Sequence, residues 1–298
     1  MSSEHPSLSC PVCGAPLQKR STAFCCENRH GFDIARQGYV NLLQPGHSSA
    51  TGDDREMVAA RTAFLESGTY APFSDAVNRL CLCALSDLSC PAVIADAGCG
   101  EGYYTARLAK AFANAGHPAR FFGLDLSKYA CAHGATAAKA ERLPIQYAVC
   151  SLFHMPLFTA SCDLLLNLFA PSAPEEFARI VRPGGFLCFA APAADHLMEL
   201  KALLYEQPYE NKERIPVFPG FALRQTERVR FSFSLYEHRM ALFRMTPYYF
   251  RTPRSGAQRL EALAAPMHVT GAVNVLLYER LAKEIPATET ERNEHYEI

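Results

Sequence analysis

Four residues near the N-terminus have the types and the spacing of a metal site. Cys10 and Cys13 form a CxxC pair followed by a glycine, and Cys26 and His30 form a CxxxH pair twelve residues further on. Thiolates and imidazole are the ligands that Zn²⁺ prefers, and a structural site usually takes two such pairs on tight turns. Four protein ligands leave no open coordination position, so we expect a structural zinc and not one that activates water. Cys25 continues a short predicted strand and is expected to stay out of the site.

The alternative is that these are four unrelated reduced residues. It is disfavoured because a first segment of about forty residues has too little apolar mass to fold without a metal or another cross-link.

A second candidate site is the stretch "AVIADAGCGEGYYTARLA", residues 92–109. It is an apolar strand, followed by Gly98, Gly100 and Gly102 and then by an amphipathic helix. Glycine lets a backbone bend sharply and lets a ligand lie against it, and the free amides of the helix favour an electron-rich group. The spacing is GxGxG and not the GxGxxG that serves a pyrophosphate, so dinucleotide binding is disfavoured.

Two acids extend this pattern. Asp96 precedes the glycine turn, and Asp125 ends the next predicted strand, "RFFGLDLS". Acids in these places suit a ligand with a cationic centre and a ribose diol, which predicts S-adenosylmethionine as the cofactor. A purely structural turn is the alternative.

The elements that position these residues alternate between strands and helices. Further strands are predicted at 145–150 and 162–171, and another follows the turn "RPGG" at 182–185. Such alternation predicts an α/β fold with a mostly parallel sheet, and a ligand site at the carboxyl ends of the strands.

The predicted organisation has four parts. They are a zinc-binding domain over 1–45, a linker and lead-in helix over 46–70, the main domain over 71–283, and an acidic tail over 284–298 that is predicted to be disordered. The basic residues Lys19, Arg20, Arg29 and Arg36 predict that the first domain recognises nucleic acid. Within the main domain, residues 199–250 are expected to form a basic insertion on the substrate side.

Composition excludes several classes of protein. The 298 residues carry a formal net charge of −1, which is no overall basic signature. Because there is no apolar run of about 18 residues and no signal pattern, we expect a cytoplasmic protein that does not enter a membrane. Most of the twelve cysteines fall singly among apolar residues, so no disulfide framework is implied. Locally, seven arginines between Ala222 and Arg254 predict either a nucleic-acid contact or a solvated mixed surface.

With these features assembled, the chain resembles the bacterial 23S ribosomal RNA guanine-N1 methyltransferases. That family modifies a guanine in a hairpin of domain II and includes enzymes that protect their producers from tylosin-type macrolide antibiotics. The resemblance covers nearly the whole chain except the acidic tail. The matching segments are "CPVCGAPL", "ENRHGFDIARQGYVNLL", "ARTAFLESGTYAPF", "DAGCGEGYYT", "GLDLSK", "FAP", "RPGGF", "DHLMELK" and "LFRMTPYYFR".

The resemblance implies a class I S-adenosylmethionine-dependent methyltransferase fold, Rossmann-like, with a small N-terminal zinc ribbon. It implies zinc on the CxxC and CxxxH residues and a 23S rRNA hairpin as the partner. The cofactor contacts that it implies are Tyr70, Gly100, Glu101 and His196. The chain departs from the macrolide-sensitive enterobacterial type at Asn167 and Leu168, so the choice among neighbouring guanines stays open.

The chemistry adds three further candidates. Guanine N1 carries a proton, so an acceptor should help to remove it, and Asn167 at the end of its strand is the candidate for a direct role. Phe169 and Pro171 are expected to wall the base pocket. Arg36 and Arg230 are predicted to contact RNA phosphates. Since N1 is buried in Watson–Crick pairs, the target must lie in a loop or be flipped out.

Two other functions remain as alternatives. One is a zinc-ribbon adaptor with an inactive methyltransferase domain, which the intact glycines and acids disfavour. The other is a small-molecule methyltransferase, for which the basic zinc unit has no evident use. The sequence also leaves self-association into a homodimer open.

Overall fold

The computed structural model describes residues 8–43, 52–88 and 90–282. These residues form a three-stranded sheet near the N-terminus and an eight-stranded sheet. The predicted disordered tail at 284–298 lies outside the described residues, as do residues 46–51 of the predicted linker.

The small sheet is antiparallel, and its three strands lie side by side in the order of the sequence. Its strands are β1 (Gln18–Lys19), β2 (Ala23–Cys25) and β3 (Gly31–Asp33). Leu8, Leu17 and Phe24 are buried in the same apolar cluster as Leu152 and Met155 of the main domain. The small unit is therefore packed against the large one.

The large sheet contains the other strands. In chain order they are β4 (Val40–Asn41), β5 (Ala92–Ala97), β6 (Ala119–Asp125), β7 (Ile145–Val149), β8 (Cys162–Leu168), β9 (Val181–Pro192), β10 (Phe221–Leu235) and β11 (Met267–Arg280). Their spatial order is β10-β11-β9-β8-β5-β6-β7-β4. The strands from β4 to β9 pair in parallel, and β11 is antiparallel to both of its neighbours.

The strand order reverses between β5 and β8. From β5 the chain moves outward to β6 and β7, and then returns to place β8 and β9 on the other side. In open α/β sheets, ligands bind outside the carboxyl ends of the strands at such a reversal.

Helices connect these strands. They are α1 (Arg55–Glu66), α2 (Ala71–Ala84), α3 (Tyr103–Asn114), α4 (Lys128–Ala140), α5 (Pro174–Ile180), α6 (Met198–Leu204), α7 (Arg239–Met245), α8 (Tyr248–Arg251) and α9 (Arg254–Glu261). Asp54 caps the lead-in helix α1, because its carboxylate accepts from the Met57 N–H at 2.8 Å. None of the described helices is long and apolar enough to cross a membrane.

Part of the region predicted as a basic insertion belongs to the main sheet. Residues 221–235 form β10, an edge strand of the main sheet that pairs with β11 along its length. Val229, Phe231 and Leu235 are buried, whereas Arg228 and Arg230 between and beside them are exposed. Arginine and apolar residues therefore alternate here with the two-residue period of a half-buried strand.

The predicted boundary at residue 45 is crossed by the sheet itself. Val40 and Asn41 form β4, which pairs in parallel with Ala148 and Val149 of β7. The chain leaving the small unit therefore becomes the outer strand of the large one.

Candidate active site and metal centre

The four predicted metal ligands lie together beside the turn between β2 and β3. The Sγ atoms of Cys13 and Cys26 are 3.8 Å apart, and His30 Nδ1 lies 3.5 Å from Cys10 Sγ and 3.4 Å from Cys26 Sγ. All four ligand atoms lie within 4.8 Å of one another. Cys25 is half-buried on β2 and is not a member of this group.

These distances fit one tetrahedral zinc ion. Bonds of about 2.3 Å to sulfur and about 2.0–2.1 Å to nitrogen place two sulfurs about 3.8 Å apart, and a sulfur and a nitrogen about 3.6 Å apart. The Asn28 amide donates to Cys13 Sγ at 3.3 Å and lowers the pKa of that thiol to about 6. The thiolate is the form that binds a metal.

Three glycines shape the turn between β5 and α3. Gly98, Gly100 and Gly102 have φ angles of 82°, 55° and 84°, a region that other residues rarely adopt. A Cβ atom at Gly102 would overlap the hydroxyl of Tyr147. The turn therefore needs glycine both for its backbone conformation and for its close packing.

Two carboxylates lie at the carboxyl ends of β5 and β6. Asp125 Oδ2 accepts from the Gly100 N–H at 2.9 Å, and Oδ1 accepts from the Ser127 N–H at 2.7 Å. Asp96 is 2 % exposed and accepts from the Thr105 hydroxyl at 2.6 Å. Burial raises the pKa of both acids, that of Asp96 to about 7. Each oxygen of Asp125 keeps acceptor capacity, so this carboxylate fits a pair of ribose hydroxyls.

Arg61 of α1 lies across the glycine turn. Its guanidinium pairs with Asp53 and, at 3.4 Å, with Glu101. A Cβ on Gly100 would stand 3.0 Å from Arg61 Nη1. The Ser127 hydroxyl donates to the Asp53 carbonyl at 2.6 Å, which fastens the start of α1 over the turn.

Glu101 is almost fully buried at this place. Burial raises the pKa of its carboxyl group, and the Arg61 charge opposes that rise. Sequence reasoning missed Arg61, because no spacing rule links an arginine on the lead-in helix to a turn that follows a later strand.

Tyr70 and His196, which only the family resemblance indicated, are in contact. The Tyr70 hydroxyl oxygen lies 3.3 Å from His196 Nε2. His196 Nδ1 accepts from the Ala272 N–H at 3.1 Å, and burial lowers the pKa of this histidine to about 4. A neutral imidazole whose Nδ1 is an acceptor carries its proton on Nε2. His196 therefore donates to the Tyr70 oxygen, and the hydroxyl proton of Tyr70 is available to a further acceptor.

Phe169 forms an aromatic wall beside this pair. Its ring centre lies 5.1 Å from that of Phe73, 6.5 Å from that of Tyr104 and 6.4 Å from that of His196. It is 40 % exposed and has a φ of 57°, which is rare for an aromatic residue. Backbone strain of this kind persists where the surroundings hold it and often marks a functional position.

Asn167 lies in the interior at the end of β8, beside the reversal of strand order. Its amide nitrogen donates to the carbonyls of Ala97 and Pro171, both at 3.2 Å. A flipped amide would place oxygen against oxygen, so these bonds fix the orientation. Among the described residues, the Asn167 Oδ1 atom has no hydrogen-bond partner. A buried acceptor left unpaired is costly, which suggests that it serves a ligand.

The two predicted RNA contacts differ in their surroundings. Arg36 is exposed in the small unit. Arg230 forms an ion pair with Asp195, which also pairs with Arg228 at 2.6 Å. Much of the charge that made this stretch look basic is thus balanced by acids from other elements.

Both parts of the chain match known families. Residues 8–48 match the zinc-ribbon family described as "RlmA, N-terminal", and residues 94–185 match the family described as "Methyltransferase domain".

Known proteins are similar to this chain over most of its length. A "Putative 23S rRNA (guanine-N(1)-)-methyltransferase" of Micromonospora griseorubida is 34 % identical over 303 residues, covering 92 % of this chain and 97 % of the relative. The 23S rRNA (guanine(748)-N(1))-methyltransferase of Streptomyces fradiae is 40 % identical over 194 residues, 65 % of this chain and 66 % of the relative. Among solved structures, a geranyl diphosphate C-methyltransferase from Streptomyces coelicolor has 13 % identity and a TM-score of 0.43, covering 80 % of this chain and 83 % of that one.

Proposed function

This chain belongs to the family of the 23S rRNA (guanine-N1)-methyltransferases, and we propose that it methylates N1 of a guanine in 23S rRNA with S-adenosylmethionine as the donor. The observation that carries the proposal is the position of Asn167. Its unpaired acceptor lies at the reversal of strand order, where the glycine turn and the acids of a cofactor site also lie. A base that presents N–H groups on its Watson–Crick edge fits that acceptor.

The residues around the glycine turn would hold the cofactor. When bound, S-adenosylmethionine supplies a methyl group on a sulfonium centre. Asp125 would accept from the ribose hydroxyls, while Asp96 and Glu101 make the surroundings acidic and suit a ligand with a cationic centre. The Tyr70 hydroxyl, whose oxygen is occupied by His196, would donate to the cofactor.

Arg61 would bind the carboxylate of the cofactor's methionine part. A guanidinium has five N–H donors, and the described contacts of Arg61 engage two of its nitrogens, with Asp53 and Glu101. Its place over Gly100 puts the remaining donors at the turn. An arginine and a carboxylate form a strong, charge-assisted pair in such a shielded site.

The base would be held by Asn167 and Phe169. Methyl transfer is an in-line displacement, so the enzyme must keep the base nitrogen aligned with the methyl carbon at about 3 Å. Asn167 Oδ1 would accept from an N–H of the guanine edge, and the half-exposed ring of Phe169 would stack on the base. When N1 takes the methyl group its proton would pass to water, while Asn167 Oδ1, an amide oxygen that accepts a hydrogen bond but does not take up the proton, would keep the edge in place.

The zinc ribbon would serve recognition of the RNA. Cys10, Cys13, Cys26 and His30 would bind one structural zinc ion, since their atoms are spaced for tetrahedral coordination. Arg36 would contact phosphate directly, whereas Arg230 would first have to exchange Asp195 for a phosphate. The target is proposed to lie in a hairpin of domain II, where a guanine outside a stable pair can enter the site.

The test uses the pairing defect of the product. Because N1-methylguanine cannot form a Watson–Crick pair, reverse transcription of treated 23S rRNA should stop one nucleotide before the target. Nucleoside mass spectrometry should then detect 1-methylguanosine. No stop and no 1-methylguanosine would refute the proposal and favour an adaptor or a small-molecule methyltransferase, and the position of a stop would identify the guanine.

A further inference from the structure

Exposed aromatic rings lie on and beside the short helix α8. Tyr249 is 44 % exposed, Phe250 is 72 % exposed and Tyr209 is 45 % exposed. The ring centres of Tyr249 and Phe250 are 5.3 Å apart, and Tyr209 lies beside the helix, because Tyr205 is in ring contact with both Tyr209 and Tyr248. We name Tyr209, Tyr249, Phe250 and Arg251 the aromatic patch. Among the described residues, Phe250 is the most exposed large apolar side chain.

A buried lysine fixes one side of the aromatic patch. Lys201 is fully buried, and its Nζ donates to the Tyr209 carbonyl at 2.9 Å. The same nitrogen lies 4.6 Å from the ring centre of Tyr209 and 5.5 Å from that of Tyr248. Tyr249 in turn packs on the buried Phe243 at 5.5 Å. Rings held in this way lose little freedom when a partner stacks on them.

The aromatic patch borders the Tyr70 and His196 side of the candidate active site. Lys201 lies on α6, five residues after His196, and its Nζ is 5.5 Å from the ring centre of Tyr248, the first residue of α8. Tyr70, Leu197 and Tyr248 belong to one buried apolar cluster. The aromatic patch is therefore packed on the helix that follows His196.

The two arginines of α8 and α9 beside these rings form no salt bridge among the described residues, although the exposed Glu210 directly follows Tyr209. These are Arg251 and Arg254, and both are exposed. The arginines of β10 differ in this respect. Arg224 pairs with Glu279, Arg228 with Asp195 and Glu213, and Arg230 with Asp195.

We propose that the aromatic patch binds unpaired nucleotides of the rRNA next to the target guanine, with bases stacked on Phe250 and Tyr249 and a phosphate on Arg251. The inference rests on the proposed function and names part of its RNA-binding surface. Proteins that grip single-stranded nucleic acid combine stacking rings with cations that follow the backbone. Exposed rings beside arginines that form no salt bridge have that composition.

The test is a series of substitutions at Phe250 in the full-length, zinc-loaded protein, with filter binding to transcribed 23S rRNA. Phe250→Ala should weaken binding roughly tenfold, Phe250→Leu should weaken it nearly as much, and Phe250→Trp should keep or improve it. Leucine supplies apolar area without a flat ring face, so it separates stacking from general apolar contact. Arg251→Gln should lower the salt dependence of binding by about one phosphate contact.

Three outcomes would overturn the inference. Equal affinity across the series would show that the patch does not contact RNA. Recovery by leucine but not by tryptophan would favour apolar docking of a protein, and a changed sedimentation mass in Phe250→Ala would favour self-association. Binding of S-adenosylhomocysteine by calorimetry should be unchanged in every variant. If the wild-type protein forms no 1-methylguanosine, the proposed function fails; if it methylates and the series has no effect, only this inference fails.

Discussion

His196 Nε2 lies 3.3 Å from the hydroxyl oxygen of Tyr70, and the proton between them belongs to the histidine. The Ala272 N–H holds Nδ1 as an acceptor, so the tautomer is fixed by the backbone of β11. Tyr70 can then act only as a donor to a third group. The backbone of β11 thereby determines that Tyr70, at the start of α2, acts as a hydrogen-bond donor.

Removal of the Tyr70 hydroxyl should weaken cofactor binding. In Tyr70→Phe the His196 N–H loses its acceptor and the cofactor loses a donor, so we expect the affinity for S-adenosylhomocysteine to fall about tenfold. Calorimetry measures this directly, and thermal unfolding checks that the fold persists. Tyr129→Phe on the exposed face of α4 is the control and should bind normally. Normal binding by Tyr70→Phe would contradict the assigned role.

Acidification should destabilise the protein through His196. Its folded pKa of about 4 lies below the usual value of 6.5, so between these pH values the unfolded chain binds more protons. Stability due to this group is therefore complete above pH 6.5 and falls by about 3 kcal/mol as the pH drops to 4. Lys201 and Asp195 also act on His196, in opposite directions.

The contribution of Asp96 to stability changes with pH in the opposite direction, so the two contributions must be measured separately. Its folded pKa of about 7 lies above the usual value, so it favours the folded state at low pH and loses that effect as the pH rises through 7. The wild-type curve alone would hide both effects. The difference in unfolding free energy between wild type and His196→Asn should fall on acidification from pH 6.5 to 4, and that between wild type and Asp96→Asn should rise. A flat difference for His196→Asn would contradict its assigned neutral state.

Zinc binding should depend on Cys26 and not on its neighbour Cys25. Cys26 Sγ lies 3.4 Å from His30 Nδ1, whereas Cys25 is not a member of the ligand group. Elemental analysis should find one zinc per chain in wild type and in Cys25→Ser, and much less in Cys26→Ser. Since the small unit packs on the main sheet, loss of zinc should also lower the thermal stability. Zinc loss in Cys25→Ser with retention in Cys26→Ser would show that the two cysteines have exchanged roles.

The sequence predicted those parts of the site that depend on local pattern. The four metal ligands and the turn from Gly98 to Gly102 follow from spacing within short segments, and so does the acid at the end of the next strand, Asp125. Tyr70 and His196 are 126 residues apart, and only the family resemblance connected them. Their contact depends on how the start of α2 and the segment before α6 pack near β11, which no local pattern encodes.

Local charge in the basic stretch does not predict what surrounds it. "RVRFSFSL" alternates as a half-buried strand does, with Val229 and Phe231 buried and Arg228 and Arg230 exposed. The acids that balance Arg228 and Arg230 come from the segment after β9. A count of charges along one segment does not show ion pairs with distant segments. The structure shows that Arg228 and Arg230 are paired with acids and that Arg251 forms no salt bridge among the described residues.

Arg61 should distinguish a cofactor with a carboxylate from one without it. We expect Arg61→Met to lower the affinity for S-adenosylhomocysteine roughly tenfold or more, because a shielded charge-assisted pair is lost. Affinity for 5′-methylthioadenosine, which has no carboxylate, should change little. Arg55→Met at the start of the same helix is the control and should bind both ligands normally. An equal loss for the two ligands would mean that Arg61 only fastens α1 over the turn.

Asn167 should affect the methyl-transfer rate more than cofactor binding. Its amide nitrogen is held by Ala97 and Pro171, while Oδ1 has no partner among the described residues and is the atom proposed to accept from the guanine edge. Asn167→Ala should lower the single-turnover rate of 1-methylguanosine formation by about a hundredfold, with the affinity for S-adenosylhomocysteine nearly unchanged.

Asn167→Asp provides the sharper comparison, because a carboxylate keeps the acceptor but cannot donate to both carbonyls. It should retain more activity than Asn167→Ala, and that activity should rise with pH as the buried acid ionises. The rate measurements use saturating RNA and cofactor, so that binding losses do not enter. If both variants methylate at the wild-type rate, the unpaired oxygen of Asn167 has no part in the reaction.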